Sequence, residues 1–164
     1  MTPIATDWSN FFVAELGASA ALTGFIVVAI SVNLSRILAH AHLPGRAAEA
    51  LISLAGALVL TSLGLVPNQP AMLLGAEALL VGLVAFAAPL RLQLRFVQTD
   101  IGVSRSRKVA RILMGAAASL PFAIGGILLM CGWSSGIYWL AGGVIASLVA
   151  GIWGVWILLI EILR

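Results

Sequence analysis

The sequence predicts an all-α, polytopic membrane protein with five transmembrane helices, and three observations predict it. Of 164 residues, 62% are hydrophobic and 9% are charged, with a mean hydropathy of +1.13. Soluble domains of this length carry about a quarter charged residues, so lipid must solvate much of this surface. Apolar runs of the length that crosses a ~30 Å hydrocarbon core recur five times along the chain. The connections between them alternate between basic and uncharged. One transmembrane domain, residues 1–164, follows, with spans at 11–38, 47–66, 71–90, 112–131 and 137–160.

The first run, FFVAELGASAALTGFIVVAISVNLSRIL, carries Glu15 near its start and Arg36 near its end and no other charge. As one helix it extends about 42 Å, which brings both ends to the headgroups. Asp7 is a candidate N-cap, and Trp8, Phe11 and Phe12 read as an aromatic belt at one interface. No basic segment precedes the run, so no cleavable signal is expected. The connection Ser35–Arg46 follows, with His40, His42 and Pro44, and Pro44 suits the start of the second span. That span places Glu49 in its first turn. Pro67-Asn68-Gln69-Pro70 is a turn without charge. The third span holds Glu77 well inside its apolar run and Pro89 near its end, where a loosened turn is expected. Arg91 to Arg111 is the longest polar stretch. Pro121 predicts a kink in the fourth span. After a second uncharged turn, Gly132–Gly136, Ser135 is a candidate N-cap for the fifth.

The charge pattern predicts the threading. With the N-terminus outside and the C-terminus inside, all nine Lys and Arg residues fall on the cytoplasmic side and neither outer turn carries one. The positive-inside rule is then fully obeyed. Arg91, Arg95, Arg105, Arg107, Lys108 and Arg111 are expected at anionic lipid headgroups. The same bookkeeping accounts for the +3 charge and pI near 10.0, so no nucleic-acid partner is expected. Cys131 is the sole cysteine, which excludes an intrachain disulfide and a cysteine-based metal site. No span contains a histidine, and no HExxH, phosphate-cradling glycine loop or Ser/His/Asp set occurs. No enzyme activity, cofactor, metal or catalytic residue is expected. Arginine in place of lysine, with abundant Ala, Gly and Leu, suggests a high-GC bacterial source and an inner-membrane location.

Helices in lipid associate through small residues that let backbones approach. Candidate rows are Gly143-Ser147-Gly151 and Ala146-Ala150-Gly154 in the fifth span and Gly115-Ser119-Ala123 in the fourth. In the first, Ala20 and Gly24 lie near Gly17, Ser31 and Ser35. These rows fit packing within the five-helix unit first and contact between subunits second, so a homo-oligomer is one expectation.

At ~100° per residue, Glu15, Ser19, Leu22, Ile26, Ala29, Asn33 and His40 fall within about 40° of one line along the first helix. Repeated around an oligomer axis, that line makes a pore with an acidic outer ring, an apolar constriction, and Arg36 and His40 at the cytoplasmic mouth. Glu77 lies at about 9 Å depth by helix rise, with no basic residue expected on its side of the membrane. It should face a wet cavity, stay protonated, or share a proton or cation with Glu15. His40 and His42 beside Arg36 suit a response to pH near neutral or a plain headgroup-facing loop.

The stretch Ser19-Ala20-Ala21-Leu22-Thr23-Gly24-Phe25-Ile26-Val27-Val28-Ala29 resembles the pore helix of Orai calcium channels. That resemblance implies a cation path along the first helix, although the selectivity glutamate of that family falls on Val32 and its threading is opposite. Five helices in this length also resemble the translocator-protein family, whose Trp- and Pro-rich first loop is replaced by HAHLPGRAAE. ALTGFIVVAISVNLSRIL followed by LPGRAAE resembles small polytopic membrane proteins of high-GC bacteria, which implies location and no mechanism. The leading reading is therefore an oligomeric cation channel, for a monovalent or divalent ion, lined by the first helix. The alternative is a non-conducting five-helix bundle that binds an apolar ligand or regulates a partner membrane protein. Membrane lipids are partners in both.

Overall fold

The computed structural model describes residues 5–40, 43–96 and 105–162, and within them the side chains outside 5–7, 94–96, 105–108, 110–111 and 161–162. The chain forms α1 (Ala5–Val32), α2 (Leu34–Ala39), α3 (Leu43–Gly64), α4 (Ala71–Phe96), α5 (Arg105–Met130) and α6 (Gly136–Ile162). Five of these are long and apolar enough to cross a membrane, over Trp8–Val32, Leu43–Gly64, Ala71–Gln93, Ile112–Met130 and Gly136–Ile160. The all-α polytopic fold with five spans is thus the one the sequence predicts.

The boundaries differ where local hydrogen bonding overrides hydropathy. The first apolar run is not one helix to Leu38, because it breaks at Asn33. There the side-chain Nδ2 donates to the Ala29 carbonyl (3.0 Å) while the Asn33 backbone N–H turns to Ile30 (3.2 Å). The side chain takes the acceptor its own backbone would use, and the helix stops. The chain resumes as the short α2, which buries Ile37 and exposes Arg36. The apolar span that remains, Trp8–Val32, has 25 residues, three fewer than the unbroken run. Asp7 lies inside α1 rather than at its cap, since the helix begins at Ala5. The helix α3 begins at Leu43, four residues ahead of expectation, so Pro44 occupies its first turn and Glu49 lies beyond it.

The uncharged turns are closed by left-handed residues. Asn68 has φ 56° between Pro67 and Pro70, a conformation asparagine tolerates better than most side chains. Gly132 has φ +84° and ends α5. Its N–H reaches Leu129 (3.0 Å) while that of Trp133 reaches Leu128 (2.9 Å), the Schellman pairing that satisfies the last carbonyls of a helix. The next helix starts directly after Ser135.

The helices α3, α4, α5 and α6 each pack on the next, and α6 closes the ring on α3. Short connections make sequence neighbours antiparallel neighbours. The helix α1 lies outside this ring, packed chiefly on α3. Glycines set the closest approaches: a Cβ on Gly126 would stand 2.5 Å from the Gly75 carbonyl oxygen, and one on Gly125 2.7 Å from that of Gly136. These are backbone-to-backbone contacts of the kind that hold helices together in lipid.

The two ends of the ring differ. Toward the uncharged turns, Phe122 fills the centre with Ala57, Leu60, Leu74, Ala78, Leu129, Leu140 and Val144. We call this the neutral end. The opposite, basic end carries Arg36, Arg46 and Arg91. The hydroxyls of Thr23, Ser31, Thr61, Ser62 and Ser119 donate to carbonyls of their own helices, which satisfies them without water.

Candidate functional site

The basic half of the ring holds a cavity. Moving from the core toward that end, α4, α5 and α6 replace bulk by small residues within one turn, and α3 stays small. Ala57 gives way to Ser53 on α3, Val81 to Ala85 on α4, Phe122 to Ser119 and Ala118 on α5, and Val144 to Ser147 on α6. As the side chains of α4, α5 and α6 shrink, space opens between the helices. The enclosed space is about 100 Å³ and widens into an open mouth, so it has room for a small head group and not for a whole drug-sized molecule. By helix rise, Arg46 to Ser53 covers about 10 Å of its length and Ser147 to Ile157 about 15 Å.

Its lining is graded. Arg46, Glu49 and Gln93 stand toward the mouth, and all are partly buried. Ala50, Ala85, Pro89, Met114, Gly115, Ala118, Ala150, Gly154 and Ile157 make the walls, with Trp153 reaching both the cavity and the outer surface at 54% exposure. Three serines lie deepest. Ser53 Oγ donates to the Ser147 carbonyl (3.0 Å), Ser147 Oγ to that of Ala118 (3.3 Å) and Ser119 Oγ to that of Gly115 (2.7 Å). The first two bonds tie α3, α6 and α5 together at the level where the cavity ends. Pro89 adds an acceptor, because its ring nitrogen cannot donate to the Ala85 carbonyl and both residues line the cavity.

Comparison with protein-family models, with curated proteins and with solved structures gives no match. Function must be read from the chain's own geometry.

The residues singled out from the sequence fall elsewhere. Ser19 and Ile26 are 0% and 2% exposed, and Leu22 packs beside Ile26 against Ala50, Leu54 and Val155. The stripe that would line a shared pore is the face by which α1 attaches to the ring, and its constriction residues are already occupied by α3 and α6. Asn33 is committed to Ala29 at the helix break. Arg36 and His40 are exposed at the basic end, where the His40 ring contacts the Arg36 carbonyl (3.1 Å). The opposite face of α1 is open: a Cβ on Gly17 or Gly24 meets nothing within 4 Å.

Glu77 has a partner the sequence does not suggest. Gln69, in the turn before α4, donates to its carboxylate through Nε2. Glu15 is partly buried on α1, whose packing neighbours are α3 and α6, whereas α4 packs on α3 and α5. The structure thus gives Glu77 a local acceptor role and does not pack the two acidic helices together. Phe12 is another departure: it is buried in the notch at Gly64 and does not join the lipid-facing belt. Trp8 remains at the surface layer, edge-on to Tyr138 of α6 at 4.9 Å between ring centroids. Among the predicted headgroup contacts, Arg91 is exposed, and the side chains of Arg95, Arg105, Arg107, Lys108 and Arg111 lie outside the described residues, as does His42.

The small-residue rows of α6 pack within the chain. Gly143 receives Phe122, Gly151 receives Leu54, and Gly154 faces Ala50. The α5 row divides: Ser119 and Ala123 press on Gly82, while Gly115 opens on the cavity with nothing within 4 Å of an added Cβ.

Proposed function

We propose that this chain is a non-conducting membrane protein that holds an amphiphilic ligand, drawn from the bilayer, inside its four-helix ring. The cavity carries this reading: it is concave, mostly apolar, and supplied with a few polar groups at one end. With the basic end in the cytoplasm of a bacterial inner membrane, as the distribution of Lys and Arg favours, the mouth lies at the inner leaflet. The open glycine face of α1 is where a second copy would pack, and self-association there leaves the cavity untouched.

The test uses Gly115. An aromatic ring there enters open space, so Gly115→Phe should fill the cavity wall without disturbing the helix contacts. Native mass spectrometry of protein released from a nonionic detergent should show an amphiphile adduct on the wild type, reduced about tenfold or more on Gly115→Phe. Equal adducts on both proteins, or none on either, would remove the cavity as a binding site.

The channel reading is tested separately. Cation flux from liposomes bearing wild-type protein should match that of protein-free liposomes, and Glu15→Gln and Glu77→Gln should leave it unchanged. Flux that depends on either acid would restore the conducting reading.

A further inference from the structure

The polar groups at the cavity mouth have a sign pattern that says more about the ligand than the cavity alone. Arg46 and Glu49 are three residues apart on α3, which puts a cation and an anion side by side on one helix face, and both line the cavity. Each makes an interaction within the chain. A ligand head of one charge would draw one of them and leave the opposite charge beside an apolar wall, an arrangement that costs several-fold in binding for each unmatched group. A head of both signs offers a replacement to each.

The walls behind this pair sharpen the choice of cation. Pro89 leaves the Ala85 carbonyl without its helical donor at the cavity lining. That carbonyl and the Glu49 carboxylate are both acceptors, so they suit a cation with N–H groups and gain nothing directional from a fully methylated one. The route of the ligand's tail is also marked. A second, shallow notch of about 10 Å³ lies between α4 and α5, lined by Phe86, Leu90 and Ile112, and it shares Pro89, Gln93 and Gly115 with the cavity. The two spaces meet at Gly115, where no side chain stands in the way.

We infer that the cavity takes a lipid whose head carries an anionic phosphate and a primary ammonium, with its acyl chain leaving between α4 and α5 into the bilayer. The phosphate is received by Arg46, the ammonium by Glu49 and the Ala85 carbonyl. This rests on the proposed ligand-binding reading and goes beyond it in naming the head and the route.

The experiment titrates delipidated full-length protein in nonionic detergent with three lysolipids of one chain length: lysophosphatidylethanolamine, its trimethylated counterpart lysophosphatidylcholine, and lysophosphatidylglycerol. The first should bind about tenfold or more tightly than the other two, as expected for one charge-assisted hydrogen-bonded pairing. Glu49→Gln should abolish that preference while keeping binding, and Arg46→Gln should weaken all three. Free phosphoethanolamine should bind far more weakly than the lysolipid, and comparable binding would overturn the tail's route. Equal affinity for the three lysolipids, or a preference for lysophosphatidylglycerol, would overturn the two-signed head and leave the cavity reading intact. No binding of any would sink both. Elution volume and helicity of each variant, checked against wild type, separate loss of binding from loss of fold.

Discussion

Gly126→Ala is expected to give a protein that no longer survives extraction as a monodisperse, folded species. The added methyl would stand 2.5 Å from the Gly75 carbonyl oxygen and 2.8 Å from the Leu79 nitrogen. Both obstacles are backbone, so no rotamer change relieves them and α4 must move away from α5. Overpacking in a tight core costs about 1–3 kcal/mol, and a clash with main chain falls at or above the upper end. Separation also loosens Gly82 against Ala123 two turns along the same interface. The measurement is the midpoint of unfolding in a denaturing-detergent titration, followed by helicity and elution volume. Gly24→Ala serves as the contrast. Its Cβ meets nothing, so the midpoint should stay or rise, since alanine is favoured over glycine in a helix by up to ~1 kcal/mol. A loss in Gly24→Ala as large as that in Gly126→Ala would mean that the α4–α5 backbone contact does not set the outcome.

Phe122→Ala should be at least as damaging, for the opposite reason. Phe122 is fully buried, and its ring fills the notch left by Gly143 on α6 and lies near Gly56 on α3. Truncating such a residue removes buried contact and leaves a void, together worth about 3–5 kcal/mol. Phe122→Leu retains part of the volume and should lose less. There is a second expected consequence. Phe122 sits one turn beyond Ser119, so its removal extends the cavity into the core. The alanine variant should therefore accept longer apolar ligands than the wild type, read as a shift in the chain length of lysolipid bound most tightly. A stability loss with no such shift would show that the ring, on losing Phe122, collapses instead of opening.

Much of the fold was legible in the sequence for simple physical reasons. Five runs of apolar length and two uncharged turns are enough to specify five spans and antiparallel neighbours. The break at Asn33 was not legible, because hydropathy does not register a side-chain amide competing for a carbonyl one turn back. The α4–α5 contact was missed although a signal exists: Gly75 and Gly82 are seven residues apart and so share a helix face. Small-residue rows at four-residue spacing do not include them. Gly115 was placed in a packing row by that same spacing and proved to border open space.

The candidate site was the least legible part. A cavity is a deficit of volume shared by several helices, visible only once their order around the ring is known. Ala50, Ala85, Ala118 and Ala150 are ordinary in their own helices and become a wall when brought around one space. The stripe on α1 shows the converse error. Helical periodicity correctly separated two faces, but it could not say which one the rest of the chain covers. The face with Ser19 and Ile26 is covered, and the glycine face is bare.

The sealed neutral end has a further meaning for a molecule threaded through a bilayer. Phe122 and the residues packed about it close the ring to one side, while the notch beside Gly115 opens it to the other. On the proposed ligand-binding reading, such a vessel would exchange with a single leaflet, and its occupancy would follow the composition of the monolayer at the basic end. In a membrane whose two faces differ, the chain would be a gauge of one of them.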